Sequence, residues 1–148
     1  MDTKTQIQQA LKQSMRARES LRKRALRSAL AAIKLAEVEA GRPLDDAGVW
    51  RVLQKEIKMR QETIEGAQKA QRAELIAEAQ AEIEALQAFL PPPLSESELE
   101  TLAQAAIAQV GAASPRGMGK VMAVLMPQVQ GRADGGQVSR VVRRLLQG

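Results

Sequence analysis

The sequence has no cysteine, no histidine and no tyrosine, and only one phenylalanine and one tryptophan. Without cysteine or histidine there is no disulfide, thiolate nucleophile, Cys/His zinc site, Ser-His-Asp arrangement or imidazole acid–base chemistry. Ser14, Ser28 and Ser139 have no base partner that the sequence identifies, so no catalytic residue is expected. The shortage of aromatics leaves single-stranded bases no stacking platform. No unbroken apolar run is long enough to span a bilayer, and the start, Met1-Asp2-Thr3-Lys4, has no apolar stretch behind its charges. We therefore expect a cytoplasmic chain that keeps away from membranes and uses no cofactor and no metal.

What is present is aliphatic and charged. Apolar residues make up 45% of the 148, enough for a core of Leu, Ile, Val, Met and Ala. The net charge of +5 is modest, but its distribution is uneven. Between Lys12 and Lys34 lie Arg16, Arg18, Arg22, Lys23, Arg24 and Arg27, opposed by Glu19 alone. From Glu74 to Glu100 the sign reverses, through Glu78, Glu82, Glu84, Glu96 and Glu98, with no Lys or Arg. Basic residues return as Arg116, Lys120, Arg132, Arg140, Arg143 and Arg144, opposed by Asp134. Glu74, Glu78 and Glu82 recur every four residues and read as one exposed helical line rather than a metal site.

Periodicity predicts helices throughout. Ile7, Ala10, Leu11, Ser14 and Met15 mark a first helix from Asp2 or Thr3 to about Arg18. Leu26, Leu30, Ile33 and Glu37 mark a second, starting near Ser20 and stopped by Gly41-Arg42-Pro43. Asp45 or Asp46 caps a third, with Val49, Trp50, Leu53, Ile57 and Ile64 inward and Gly66 where it should weaken or end. A fourth is predicted from about Gln68 to Phe89, with Leu75, Ala79, Ile83, Leu86 and Leu90 spaced almost as a coiled-coil seam and Trp50 and Phe89 on buried faces.

Pro91-Pro92-Pro93 stops any helix, since successive residues lack an amide hydrogen. Beyond it, Ser95 with Glu98 forms a capping box and Leu94 with Leu99 a hydrophobic staple for a fifth helix, ending at Gly111. Ser114-Pro115 reads as the start of a sixth, which Pro127 kinks or terminates. Asp134 with Gln137 caps a seventh, with Val138, Val141, Val142 and Leu145 inward and Arg140, Arg143 and Arg144 outward. With no alternating run or hairpin signal, the expected fold is all-α and multihelical. It has an N-terminal bundle of about four helices over 1–90 and a smaller three-helix domain over 94–148.

One stretch has a rare pattern. Gly117-Met118-Gly119-Lys120-Val121-Met122 leads through Leu125-Met126-Pro127 to Gly131-Arg132-Ala133-Asp134-Gly135-Gly136, with glycines where a helix begins and ends. It is no phosphate-binding P-loop, which needs glycine where Ser114 stands and Ser or Thr where Val121 stands. Turn chemistry explains Arg132 least. The pattern resembles the GatB/YqeY family in its YqeY arrangement, carried by the basic helical start, the Leu90-Pro91 to Leu94-Ser95-Glu96 junction and the Met118-to-Gly135 tail. That resemblance implies an N-terminal helical domain and a three-helix tail, kin to the tail of the amidotransferase B subunit that contacts tRNA. The associated activity is carbon–nitrogen ligation with glutamine as amido-nitrogen donor. This chain carries neither the kinase-like cradle nor the amidase Lys-Ser-Ser set of that enzyme.

These readings converge on a non-catalytic tRNA- or structured-RNA-binding module that recognises phosphates and shape. The contacts expected are Lys120 and Arg132, assisted by Arg116, Arg140, Arg143 and Arg144. Gly117, Gly119, Met122, Gly131 and Asp134 are the motif positions, and Arg16, Arg22, Lys23, Arg24 and Arg27 form a secondary basic patch. The rival readings are an adaptor docking on an amidotransferase or other translation protein through Met118 and Met122, and an accessory to glutamine-dependent tRNA amidation.

Overall fold

The structure, a computed structural model, describes residues 1–17 and 19–148, so Arg18 and the predicted end of the first helix there lie outside it. The described residues are helical, without strands: α1 (Thr3–Ala17), α2 (Ser20–Ala40), α3 (Asp46–Lys69), α4 (Ala73–Gln87), α5 (Glu96–Val110), α6 (Met118–Val129) and α7 (Gly135–Gln147), with a 3-10 turn at Pro115–Gly117. They form two compact units, Met1–Leu90 and Pro91–Gly148.

In the first unit α4 packs on α2 and α3, and α1 packs on α2 and α3. Its core is aliphatic, with Ile7, Leu26, Ile33, Leu53 and Leu86 fully buried. Trp50 and Phe89 are half-buried rather than inside. The Trp50 indole N–H donates to Thr3 Oγ1 at 3.2 Å, because a ring with a polar edge settles where that edge finds a partner.

Cap chemistry sets most boundaries. Asp45 Oδ1 accepts the Gly48 amide at 2.9 Å to start α3. Gly41, at φ +70°, ends α2 in a Schellman motif: its own amide reaches the Val38 carbonyl and the Arg42 amide reaches that of Glu37.

Two expectations fail in α3 and α4. Gly66 does not end α3, which runs on to Lys69. A single exposed glycine costs a helix only about 1 kcal/mol relative to alanine, too little to stop one packed along its neighbour. The break falls at Gln71, which holds φ +56° while the Arg72 amide reaches Ala67 and the Gln71 amide reaches Gln68. This is the same Schellman closure with glutamine in glycine's seat. The fourth helix therefore starts at Ala73, not Gln68.

Nor is Glu82 on an exposed line. It is 8% exposed, and Arg24 Nε at 2.7 Å and Arg60 Nε at 3.2 Å hold its two oxygens. Glu56, also buried, accepts from Ser28 Oγ at 2.8 Å, and Arg60 further binds the Glu56 carbonyl at 2.9 Å. Charge buried at a three-helix junction persists because each group has its partners.

In the second unit α5, α6 and α7 pack on one another around Leu99, Val121, Leu125, Val129, Val138 and Val142. Ser95 and Glu98 form the reciprocal capping box, and Leu94 and Leu99 are both buried. Pro127 lies inside α6, which continues to Val129. On α7, Leu146 is buried and Leu145 only partly so.

Candidate functional site

The rare stretch forms the α6–α7 half of the second unit. Ser114 does not cap by its side chain. Its carbonyl accepts the Gly117 amide at 3.0 Å, closing the 3-10 turn from which α6 departs. The two glycines at that departure do different work. A Cβ on Gly117 would lie 2.6 Å from Ala112 Cβ, so the chain entering α6 can pass the end of α5 only without a side chain there. Gly119 is exposed, and a Cβ on it would meet nothing within 4 Å. Packing within the chain explains Gly117 and leaves Gly119 unexplained.

Lys120 is exposed on the first turn of α6, and Arg116 is exposed on the 3-10 turn. Met118 and Met122 are half-buried against the core of this unit. Gly131, buried at φ +76°, makes the turn out of α6, and Asp134 Oδ1 accepts the Gln137 amide at 2.8 Å to start α7.

Arg132 does have a folding role. Its Nε donates to the Pro92 carbonyl at 2.8 Å, and its own carbonyl accepts the Leu94 amide at 3.0 Å. These two bonds fasten the triple-proline segment, where prolines offer carbonyls but no amide donors, to the α6–α7 turn. The same guanidinium lies 3.9 Å from Glu98, whose carboxyl is held below the usual range by hydrogen bonding to Ser95, side chain first and then backbone, with Arg132 adding a smaller pull.

The other arginines of the tail divide. Arg144 lies 3.8 Å from Glu96 and 3.6 Å from Glu100. Arg116, Lys120, Arg140 and Arg143 are exposed and make no ion pair among the described residues. Because α7 packs on α5, α6 and the 3-10 turn, the tail cations all belong to one small three-helix body. Sequence reasoning missed the facing glutamates Glu96, Glu98 and Glu100, whose only signal was an acidic run preceding a basic one.

The secondary patch belongs to the other unit and is partly occupied. Arg24 is taken by Glu82 and by Glu78 at 3.4 Å, and Arg22 lies 3.3 Å from Glu19. Arg16 and Arg27 are exposed and Lys23 half-buried. No three acidic, His or Cys side chains converge as a metal-binding group among the described residues, and no helix of those residues is long and apolar enough to cross a membrane.

The chain is similar to the "Altered inheritance of mitochondria protein 41, mitochondrial" of Pyrenophora tritici-repentis, 29% identical over 143 residues that cover 95% of this chain and 78% of that protein. It is similar to the protein of the same name from Eremothecium gossypii, 33% identical over 107 residues, or 70% of this chain and 58% of that one. The Lachancea thermotolerans counterpart is 32% identical over 103 residues, 68% of this chain and 55% of its own length. The chain thus spans little more than half of two of these relatives. The family model described as Yqey-like protein matches residues 4–146, from the second residue of α1 to the buried Leu146 of α7, and the chain belongs to that family.

Proposed function

We propose that this protein is a non-catalytic helical module that binds tRNA or another structured RNA through the cations of its second unit. The observation that supports this reading is the set of four exposed cations, Arg116, Lys120, Arg140 and Arg143, that no carboxylate neutralises among the described residues. Next to Lys120 in the chain the surface is thinned at Gly119, where a Cβ would meet nothing within 4 Å. A cationic surface of low relief accepts a phosphate backbone closely, and the lack of aromatics leaves recognition to phosphates and shape. Arg132 moves in rank, since its side-chain hydrogen bond to the Pro92 carbonyl engages it in the fold. Lys120 becomes the principal contact. A cytoplasmic location accompanies this reading, and cell fractionation tests it.

The test is binding of the purified chain to bulk tRNA across a salt series. Log affinity should fall linearly with log salt, at a slope near −0.9 per duplex phosphate contact, and Lys120→Ala and Arg143→Ala should each make the slope shallower by about one contact. Helical circular dichroism should be unchanged in both variants, as both side chains are exposed. Wild-type protein that fails to bind at low salt would sink the reading and leave the translation-protein adaptor as the reading to test.

A further inference from the structure

Between the first turn of α5 and the outer face of α7 lies a cleft of about 270 Å³ lined by Glu96, Gln137, Arg140, Val141 and Arg144. Its two arginines are not in the same state. Arg144 faces Glu96 and Glu100, at 3.8 and 3.6 Å, while Arg140 has no ion pair among the described residues. Those separations are long for charge-assisted hydrogen bonds, which close to about 2.7–2.9 Å, and Glu96 is 74% exposed. The glutamates therefore neutralise Arg144 without locking it, and they leave its exposed neighbour Arg140 without a carboxylate partner among the described residues.

We infer that this cleft is a phosphoryl-anion subsite, and that Glu96 and Glu100 act as built-in competitors occupying Arg144 until a phosphate displaces them. The inference rests on the RNA reading above and names the place where one backbone phosphate sits. A phosphodiester presents two non-bridging oxygens that share one negative charge on a single centre, so one group seated in the cleft reaches both guanidinium forks, with the Gln137 amide as a neutral donor. The carboxylates of α5 reach only one of them. Displacing them costs two long, exposed ion pairs and returns two charge-assisted contacts at closer range, which favours the exchange. The acidic turn then sets a threshold: weakly charged anions do not displace it, and a polyanion does.

The test removes the competitors and asks whether the gain runs through Arg144. Glu96→Gln/Glu100→Gln keeps both side-chain shapes and spares the Ser95–Glu98 capping box. The double variant should bind bulk tRNA about three- to fivefold tighter at fixed salt, the scale of two weak exposed ion pairs released. In an Arg144→Ala background the same two substitutions should give no gain. A gain that survives Arg144→Ala marks a long-range charge effect and overturns the subsite, as does no gain at all while wild-type binding is intact.

A second arm separates failure of the RNA reading from failure of this one. Titrating the double variant with inorganic tripolyphosphate, followed by NMR at the arginine Nε–H groups, should shift Arg140 and Arg144 before Arg143. If those shifts appear while tRNA fails to bind, the subsite stands and the RNA reading falls. If Arg140, Arg143 and Arg144 shift together or not at all, the subsite falls.

Discussion

The two units solve the problem of charge in opposite ways. Met1–Leu90 buries part of its charge: Glu56 and Glu82 are inside it, tied to Ser28, Arg24 and Arg60 at the meeting of α2, α3 and α4. Pro91–Gly148 buries none; its core is Leu, Val and Ala throughout, and its ion pairs are exposed and longer than 3.5 Å. A buried ion network fixes which helix lies against which, because any other register leaves a charge without a partner. The smaller unit takes its register from caps and from one glycine contact instead, and its cations stay on the surface. The lesson is that a run of basic residues is not a free surface by itself: Arg22 and Arg24 of the first unit's run are held by carboxylates, while Arg16 and Arg27 beside them are exposed and make no ion pair among the described residues.

The sharpest way to break this comparison is Glu82→Ala. It removes the closer carboxylate from the Arg60 guanidinium, whose side chain is only 12% exposed, leaving it the Glu56 carboxylate at 3.5 Å and the Glu56 carbonyl, and it leaves Arg24 only Glu78. Breaking a buried pair costs about 3–5 kcal/mol when the remaining charge has no other partner, so with Glu56 still holding Arg60 the first unit should lose about 2–3 kcal/mol. The single tryptophan, Trp50, lies in this unit, and its fluorescence during denaturant unfolding gives the measurement. No variant of the exposed ion pairs of the second unit should approach that loss; Arg144→Ala should cost under about 1 kcal/mol.

A smaller effect sharpens the picture of the second unit. Gly117→Ala should destabilise by about 1–3 kcal/mol, because its methyl would meet Ala112. Gly119→Ala, two residues on and in open space, should stabilise α6 by up to about 1 kcal/mol through helix propensity. Helical circular dichroism during denaturation reads both, and equal losses for the two would break the distinction between a packing glycine and a surface one. Should Gly119→Ala stabilise the fold yet weaken tRNA binding, Gly119 is a position of close approach.

The smallest effect expected is acid sensitivity of the α5 cap. The Glu98 carboxyl is held below its ordinary range by hydrogen bonding to Ser95. A lowered folded-state value means the cap stabilises fully above the ordinary glutamate value, about 4.3, and the contribution fades as pH falls through the folded value. Ser95→Ala should cost about 1 kcal/mol at neutral pH and progressively less below pH about 4. Stability measured from pH 7 to 3 in both proteins gives the difference. The first unit has a counterpart in Glu37, lowered first by its hydrogen bond with Lys4 and then by the Leu44 amide, so acid should loosen both units modestly.

How much of this was legible depended on whether the deciding interaction was local. Asp45, Ser95 with Glu98, Asp134, Gly41 and Gly111 all act on amides or carbonyls within a turn of themselves, so their roles follow from residue type and spacing. The break at Gln71 was not legible, since glutamine carries no signal for a left-handed backbone and the glycine that does, Gly66, sits unused in mid-helix. Arg132 stands out in the sequence as the residue turn chemistry explains least, and its folding role was not legible there. Its partner, the Pro92 carbonyl, is 40 residues away, and nothing in the local pattern announces it. The outward glutamate line failed for a similar reason: periodicity assigns Glu82 a face of its own helix, and only the arrival of Arg24 and Arg60 makes that face an interior one.

The sequence by itself determined that the chain is helical, where most helices begin, that its core is aliphatic, and that its ends are basic, because these follow from composition and from contacts within a few residues. Tertiary structure alone decided which charges are available. Whether an arginine is spent on a carboxylate depends on helices far apart in the chain meeting at a few ångströms. That is how Arg24 and Arg132 came to be held by the fold while Lys120 and Arg143 were left to the solvent.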